Sequence, residues 1–89
     1  MAHAPQSTHL KVLVVDDYLD TAKVLAEMLE LDGFRAAAAR DGQEALDLAH
    51  SLRPDVILLD IELPKLNGLE VCRALRKEPW AAAVAIVAV

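Results

Sequence analysis

Three aspartates carry the most chemistry in this 89-residue sequence: the adjacent pair Asp16–Asp17 and the separate Asp60. Each lies at the end of a short apolar run. Leu10–Val15 reads LKVLVV and leads straight into Asp16, while Asp55–Asp60 reads DVILLD and ends on Asp60 itself. Should the two runs lie side by side, three carboxylates meet at one edge. At roughly 4 Å each like-charged pair costs about 4 kcal/mol at an effective dielectric of about 20. A fold tolerates this by keeping one group protonated or by binding a cation. Oxygen-only ligands select a hard ion, and a site that retains waters and a substrate phosphate favours Mg²⁺ over Ca²⁺. With the cation present an anionic phosphoryl donor can approach, and a carboxylate can attack it to form an aspartyl phosphate. Asp16 and Asp17 suit a metal clamp and Asp60 suits the nucleophile, a division that residue types alone leave open. The simpler alternatives are a helix cap followed by a first-turn acid for Asp16–Asp17, and a turn residue for Asp60.

The elements that must position these groups follow from the apolar pattern. Leu10–Val15 is a β-branched run that fits a strand buried on both faces. From Tyr18 to Asp32 the period becomes helical, with Ala22, Leu25, Ala26 and Leu29 on one face and Gly33 as the stop. Phe34–Ala39 is a weaker strand, its four alanines having poor β-propensity. Asp41 and Glu44 have capping-box spacing and open a helix through Ala45, Leu48, Ala49 and Leu52, which Pro54 ends. Asp55–Asp60 is the next strand. Asn67 and Glu70 repeat the capping spacing before a helix with Val71, Cys72 and Leu75 inward; Pro79 breaks it, and Val84–Val89 reads as a fourth strand. The order β-α-β-α-β-α-β predicts an α/β fold, a parallel sheet with right-handed crossovers and helices on both faces. Ligands of such sheets bind beyond the carboxyl ends of the strands, where all three aspartates fall.

Composition narrows the field. A chain this short holds one small domain. Its apolar content of 55% with one residue each of Phe, Tyr and Trp calls for an aliphatic, alanine-rich core. The formal charge of −5 disfavours nonspecific attraction to nucleic acid or an anionic membrane. The single Cys72 excludes an intramolecular disulfide and is expected as a small core residue. No stretch has the length of a membrane span, and residues 1–9 have neither basic nor apolar segments of a signal peptide. They are expected to form a disordered tail, and the cytoplasm is the expected location. His3, His9 and His50 are expected in exposed positions. Trp80 is expected to pack against the helix end before the fourth strand, and Arg73, Arg76 and Lys77 to form a solvated face.

V-V-D-D after the first strand, with L-L-D-I-E-L-P-K-L-N-G-L-E after the third, resembles the response-regulator receiver family of two-component signalling. The resemblance runs from Leu10 to Val89 in the family's order and spacing. It implies a flavodoxin-like, doubly wound sheet of strand order 2-1-3-4-5, and a receiver that takes a phosphoryl group from a histidine kinase or histidine phosphotransfer protein. It further implies Asp60 as phosphoacceptor, with Mg²⁺ served by Asp16, Asp17, Asp60 and the backbone carbonyl of Glu62. Pro64 and Gly68 match the family's loop, and Asn67 stands where an aspartate is common.

The family pattern continues with a switch Ser or Thr just after the fourth strand, a fourth helix, a fifth strand followed by a lysine, and a fifth helix. Neither Lys65 nor Lys77 holds that lysine's place. The receiver spanning residues 10–89 is therefore expected to be incomplete, its fourth strand an apolar edge suited to homodimerisation or domain swapping. Such a chain is expected to be a phosphoacceptor and not a conventional enzyme. The alternative is a degenerate receiver serving only as a protein-interaction module. A phosphatase of the haloacid dehalogenase kind ranks lower, because its D-x-D motif is replaced here by Asp16-Asp17-Tyr18.

Overall fold

A computed structural model describes residues 10–60 and 68–88. The elements run β1 (Lys11–Val15), α1 (Leu19–Leu31), β2 (Arg35–Ala39), α2 (Gly42–Leu52), β3 (Val56–Leu59), α3 (Gly68–Arg76), a 3₁₀ turn (Pro79–Ala81) and β4 (Ala85–Ala88). Every strand pairing is parallel, and the sheet order is β2-β1-β3-β4. The expected tail at residues 1–9 and the capping role of Asn67 lie outside the described residues.

Strand alternation divides the core into two layers. Successive β1 side chains point to opposite faces. Val12 and Val14 pack with Ala22 of α1, and Leu25, Leu29, Phe34, Val56 and Leu58 join them. Leu13 and Val15 pack on the other face with Ala45 and Ala49 of α2, Val71 and Leu75 of α3, and Ile57 and Leu59 of β3. Helices therefore cover both faces, as the alternating order requires. The α2/α3 side is the denser one. Ile57 and Leu59 are fully buried, whereas Val56 and Leu58, toward α1, are half-buried. Cys72 packs half-buried against the denser layer.

Helix ends match their local chemistry. The Asp41 carboxylate accepts the Glu44 N–H at 2.8 Å, while Glu44 Oε1 accepts the Arg40 N–H at 2.9 Å. This is a capping box whose return bond reaches one residue further back than usual. α1 ends in a Schellman motif: the Phe34 N–H donates to the Leu29 carbonyl at 3.0 Å and the Gly33 N–H to Glu30 at 3.1 Å. Phe34 and Leu29 both pack against the α1-side core, supplying the motif's apolar contact.

Two side chains make contacts that the sequence pattern does not signal. Trp80 meets the end of α2: the Arg53 guanidinium lies 4.5 Å from its ring centroid, and the His50 ring meets it edge-on at 5.6 Å. The tertiary approach of α2 to the 3₁₀ turn decides this, and no sequence period records it. Arg73, Arg76 and Lys77 are exposed as expected, and Arg76 Nη1 also donates to the Ala81 carbonyl at 2.7 Å. It adds a second donor to a turn carbonyl that also accepts the Val84 N–H at 3.1 Å. His50 is exposed as expected, with Nε2 3.9 Å from Glu78 Oε2.

Gly33 adopts φ +97°, and a Cβ built there meets no atom within 4 Å. The cost of a side chain at this position is thus conformational and not steric. Gly33→Ala is expected to lower stability by about 1–2 kcal/mol, read in urea as a lower midpoint at unchanged slope.

Candidate functional site

β1 and β3 are adjacent and parallel, pairing Val12 with Val56 through Val15 with Leu59. The residues just beyond their carboxyl ends, Asp16 and Asp60, therefore come out side by side. Backbone bonds hold both in place: the Asp16 N–H donates to Ala39 of β2, and the Asp60 N–H to Val15 of β1, each at 3.0 Å. Asp16 and Asp60 are half-buried and Asp17 is exposed.

The three carboxylates converge. Asp16, Asp17 and Asp60 each offer an oxygen, and these oxygens lie within 4.8 Å of one another. Among the described residues this is the acidic group able to hold a metal ion, and it is the one the spacing of the sequence predicts. The helix-cap reading of Asp16–Asp17 does not survive: the residue capping α1 is Tyr18, with no side-chain capping bond. Asp16 Oδ1 instead accepts the Tyr18 N–H at 3.0 Å, turning the chain out of the strand and into the helix. Tyr18 entered the sequence reading only as a helical residue. The Asp-Asp-x pattern was the available signal, since an aspartate commonly bonds the backbone two residues on.

Electrostatics follow the geometry. The Asp17 carboxyl is held above the ordinary carboxylate range. Loss of hydration against its surroundings contributes most, then a hydrogen bond to Asp16 available only to the protonated acid, then repulsion from Asp60 and Asp16. Solvent screens an exposed group, so this is a local effect and not a large reservoir of strain. Its direction is the one expected where carboxylate oxygens are gathered together. The donor set is all carboxylate, with hard oxygen ligands on one side only, and it fits a cation that keeps part of its water shell. The Glu62 carbonyl, implied as a further ligand, lies outside the described residues, as do Pro64 and Lys65.

No helix among the described residues is long and apolar enough to cross a membrane.

Comparison with known proteins agrees with this architecture. The response regulator receiver domain profile matches residues 12–89. Response regulator MprA of Mycolicibacterium vanbaalenii is 48% identical over 67 residues, covering 75% of this chain and 29% of that protein. The alkaline phosphatase synthesis transcriptional regulatory protein PhoP of Bacillus subtilis is 47% identical over 68 residues, 76% of this chain and 28% of the relative. The chain thus spans less than a third of the length of these curated relatives. In three dimensions it is similar to the chemotaxis response regulator CheY4 of Vibrio cholerae, with a TM-score of 0.84 and 33% identity, covering 91% of this chain and 68% of that one. The parallel 2-1-3-4 sheet with helices on both faces is accordingly the flavodoxin-like arrangement. The chain belongs to the response regulator receiver domain family of two-component signalling.

Proposed function

We propose that this receiver accepts a phosphoryl group on Asp60 from the phosphohistidine of a histidine kinase or histidine phosphotransfer protein, in the cytoplasm and with Mg²⁺. The convergence of three carboxylate oxygens within 4.8 Å at the carboxyl ends of β1 and β3 carries this reading. An Asp60 carboxylate oxygen attacks phosphorus, the phosphorus–nitrogen bond of the donor breaks, and the electron pair leaves with the imidazole nitrogen. Asp16, Asp17 and Asp60 would hold the ion, whose charge offsets that of the incoming phosphoryl oxygens. Asp16 orients the clamp through its bond to the Tyr18 N–H. The Val15 carbonyl fixes the Asp60 backbone, so the nucleophile is preorganised by the sheet and not by a loop. The protein serves as substrate and partial catalyst of its own modification, and is not a turnover enzyme.

Treatment with acetyl phosphate or beryllofluoride plus Mg²⁺ is expected to add one phosphoryl or beryllofluoride group by intact mass. Asp60→Asn is expected to abolish it. No adduct on the parent protein would reject the phosphoacceptor reading and favour an interaction module; sustained phosphate release from an unrelated phosphoester would favour a phosphatase.

The charge cluster yields a pH dependence. The native state holds the Asp17 proton more tightly than the ordinary value of 3.8. Between that value and the raised one the folded chain therefore carries more protons than the unfolded chain. Metal-free stability falls as pH rises through this window. Mg²⁺ is expected to raise the melting temperature at about pH 7 and to have little effect near about pH 4, where protonation competes with the metal. Asp17→Asn is expected to raise metal-free stability at neutral pH while losing the Mg²⁺-dependent increment, both readable by differential scanning fluorimetry.

A further inference from the structure

Asp55 stands at the opposite end of β3 from Asp60, and it holds three strands at once. Its backbone N–H donates to the Lys11 carbonyl at 2.8 Å, and its carbonyl accepts the Ala85 N–H at 3.0 Å. Its side-chain Oδ2 accepts the Lys11 N–H at 2.9 Å. Lys11 opens β1, Ala85 opens β4, and Asp55 immediately precedes β3. One residue therefore ties the amino ends of three neighbouring strands.

The side-chain bond compensates for an abrupt entry into the sheet. Arg53, two residues earlier, ends α2 in the left-handed region at φ 52° and ψ 64°. Pro54 follows and is buried. The chain therefore has no extended run before Asp55 to continue the ladder, and the first β1 N–H facing β3 is accepted by a carboxyl oxygen. An aspartate present only for solubility would have no reason to reach the backbone of a strand far away in sequence.

β3 is four residues long, so few bonds set its register against β1. A slip of one residue turns every side chain to the opposite face. It would also carry Asp60 out of line with Asp16 and Asp17. We infer that Asp55 is a positioning residue for the acceptor site: its carboxyl pins the β3 register at the amino end and thereby holds Asp60 against Asp16 and Asp17 at the carboxyl end. The functional consequence rests on the phosphoacceptor reading above; the register claim stands apart from it.

The test compares Asp55→Ala and Asp55→Asn with Ala49→Gly. The last weakens α2 through helix propensity and a lost buried methyl while leaving every strand-to-strand bond in place. Two quantities are measured at matched global stability: the rate of Asp60 labelling by acetyl phosphate with Mg²⁺, and hydrogen exchange at the Asp60 amide, which is bonded to Val15. Asp55→Ala is expected to slow labelling roughly three- to tenfold, the scale of one hydrogen bond, and to speed Asp60 exchange by a similar factor. Asp55→Asn, which keeps an acceptor oxygen, is expected to restore both. Asp55→Ala matching Ala49→Gly in both readouts would overturn the inference, and so would an Asp55→Asn no better than alanine. An unlabelled parent protein would reject the phosphoacceptor reading alone, leaving the exchange comparison to decide the positioning role. If Asp55→Ala does not fold, Asp55→Glu, whose carboxyl is displaced by one methylene, takes its place in both comparisons.

Discussion

The pairing of β1 with β3 is the constraint on which the rest depends. Both strands are short, and both continue directly into the aspartates that make the site. Parallel alignment brings the two carboxyl ends to the same edge, which antiparallel pairing would not do. The helices then have one task each with respect to this pair. α1 seals one face through Ala22 and Ala26, and α2 and α3 seal the other through Ala45, Ala49, Val71 and Leu75. Small residues at the α1 and α2 contacts let those helices lie close to the sheet, so a chain poor in aromatics still fills its core.

Gathering the carboxylates opposes this arrangement. Burial of apolar side chains on both faces fixes where Asp16 and Asp60 must emerge, and their mutual repulsion is accepted as a consequence. The raised Asp17 proton affinity, owed first to lost hydration and then to its hydrogen bond with Asp16, also carries a contribution from that repulsion. Asp17, the exposed member of the three, bears it where solvent can relieve part of the cost. Under the proposed reading, a bound cation would offset that repulsion.

Much of the fold was legible because its signals are local. The alternation of β-branched runs with helical periods gave the strand–helix order, and Gly33 and the Asp41–Glu44 pair marked helix ends where the bonds are found. The acidic site was legible for a similar reason: Asp16 and Asp17 follow β1 and Asp60 follows β3, so the adjacency of those two strands brought them together. The weak strand expected at Phe34–Ala39 forms over Arg35–Ala39 despite its alanines because pairing with β1 outweighs intrinsic propensity. What stayed hidden depends on distant partners. Trp80 meeting Arg53, Arg76 reaching Ala81 and Asp55 reaching Lys11 all depend on tertiary or turn geometry that no period or composition encodes.

Trp80 has one further consequence. It is the sole tryptophan of the chain, and its indole Nε1 is buried without a hydrogen-bond partner. A guanidinium lies over one face of the ring. It sits beside the turn that feeds β4 and the loop that feeds β3, at the end of the sheet away from the three aspartates. An indole in so particular a setting is an optical reporter, its emission sensitive to the nearby cation and to the burial of its nitrogen. Light from Trp80 therefore reads the far end of the same strands that present Asp60, and a spectral response to events at the acidic edge would measure how stiffly the sheet connects its two ends.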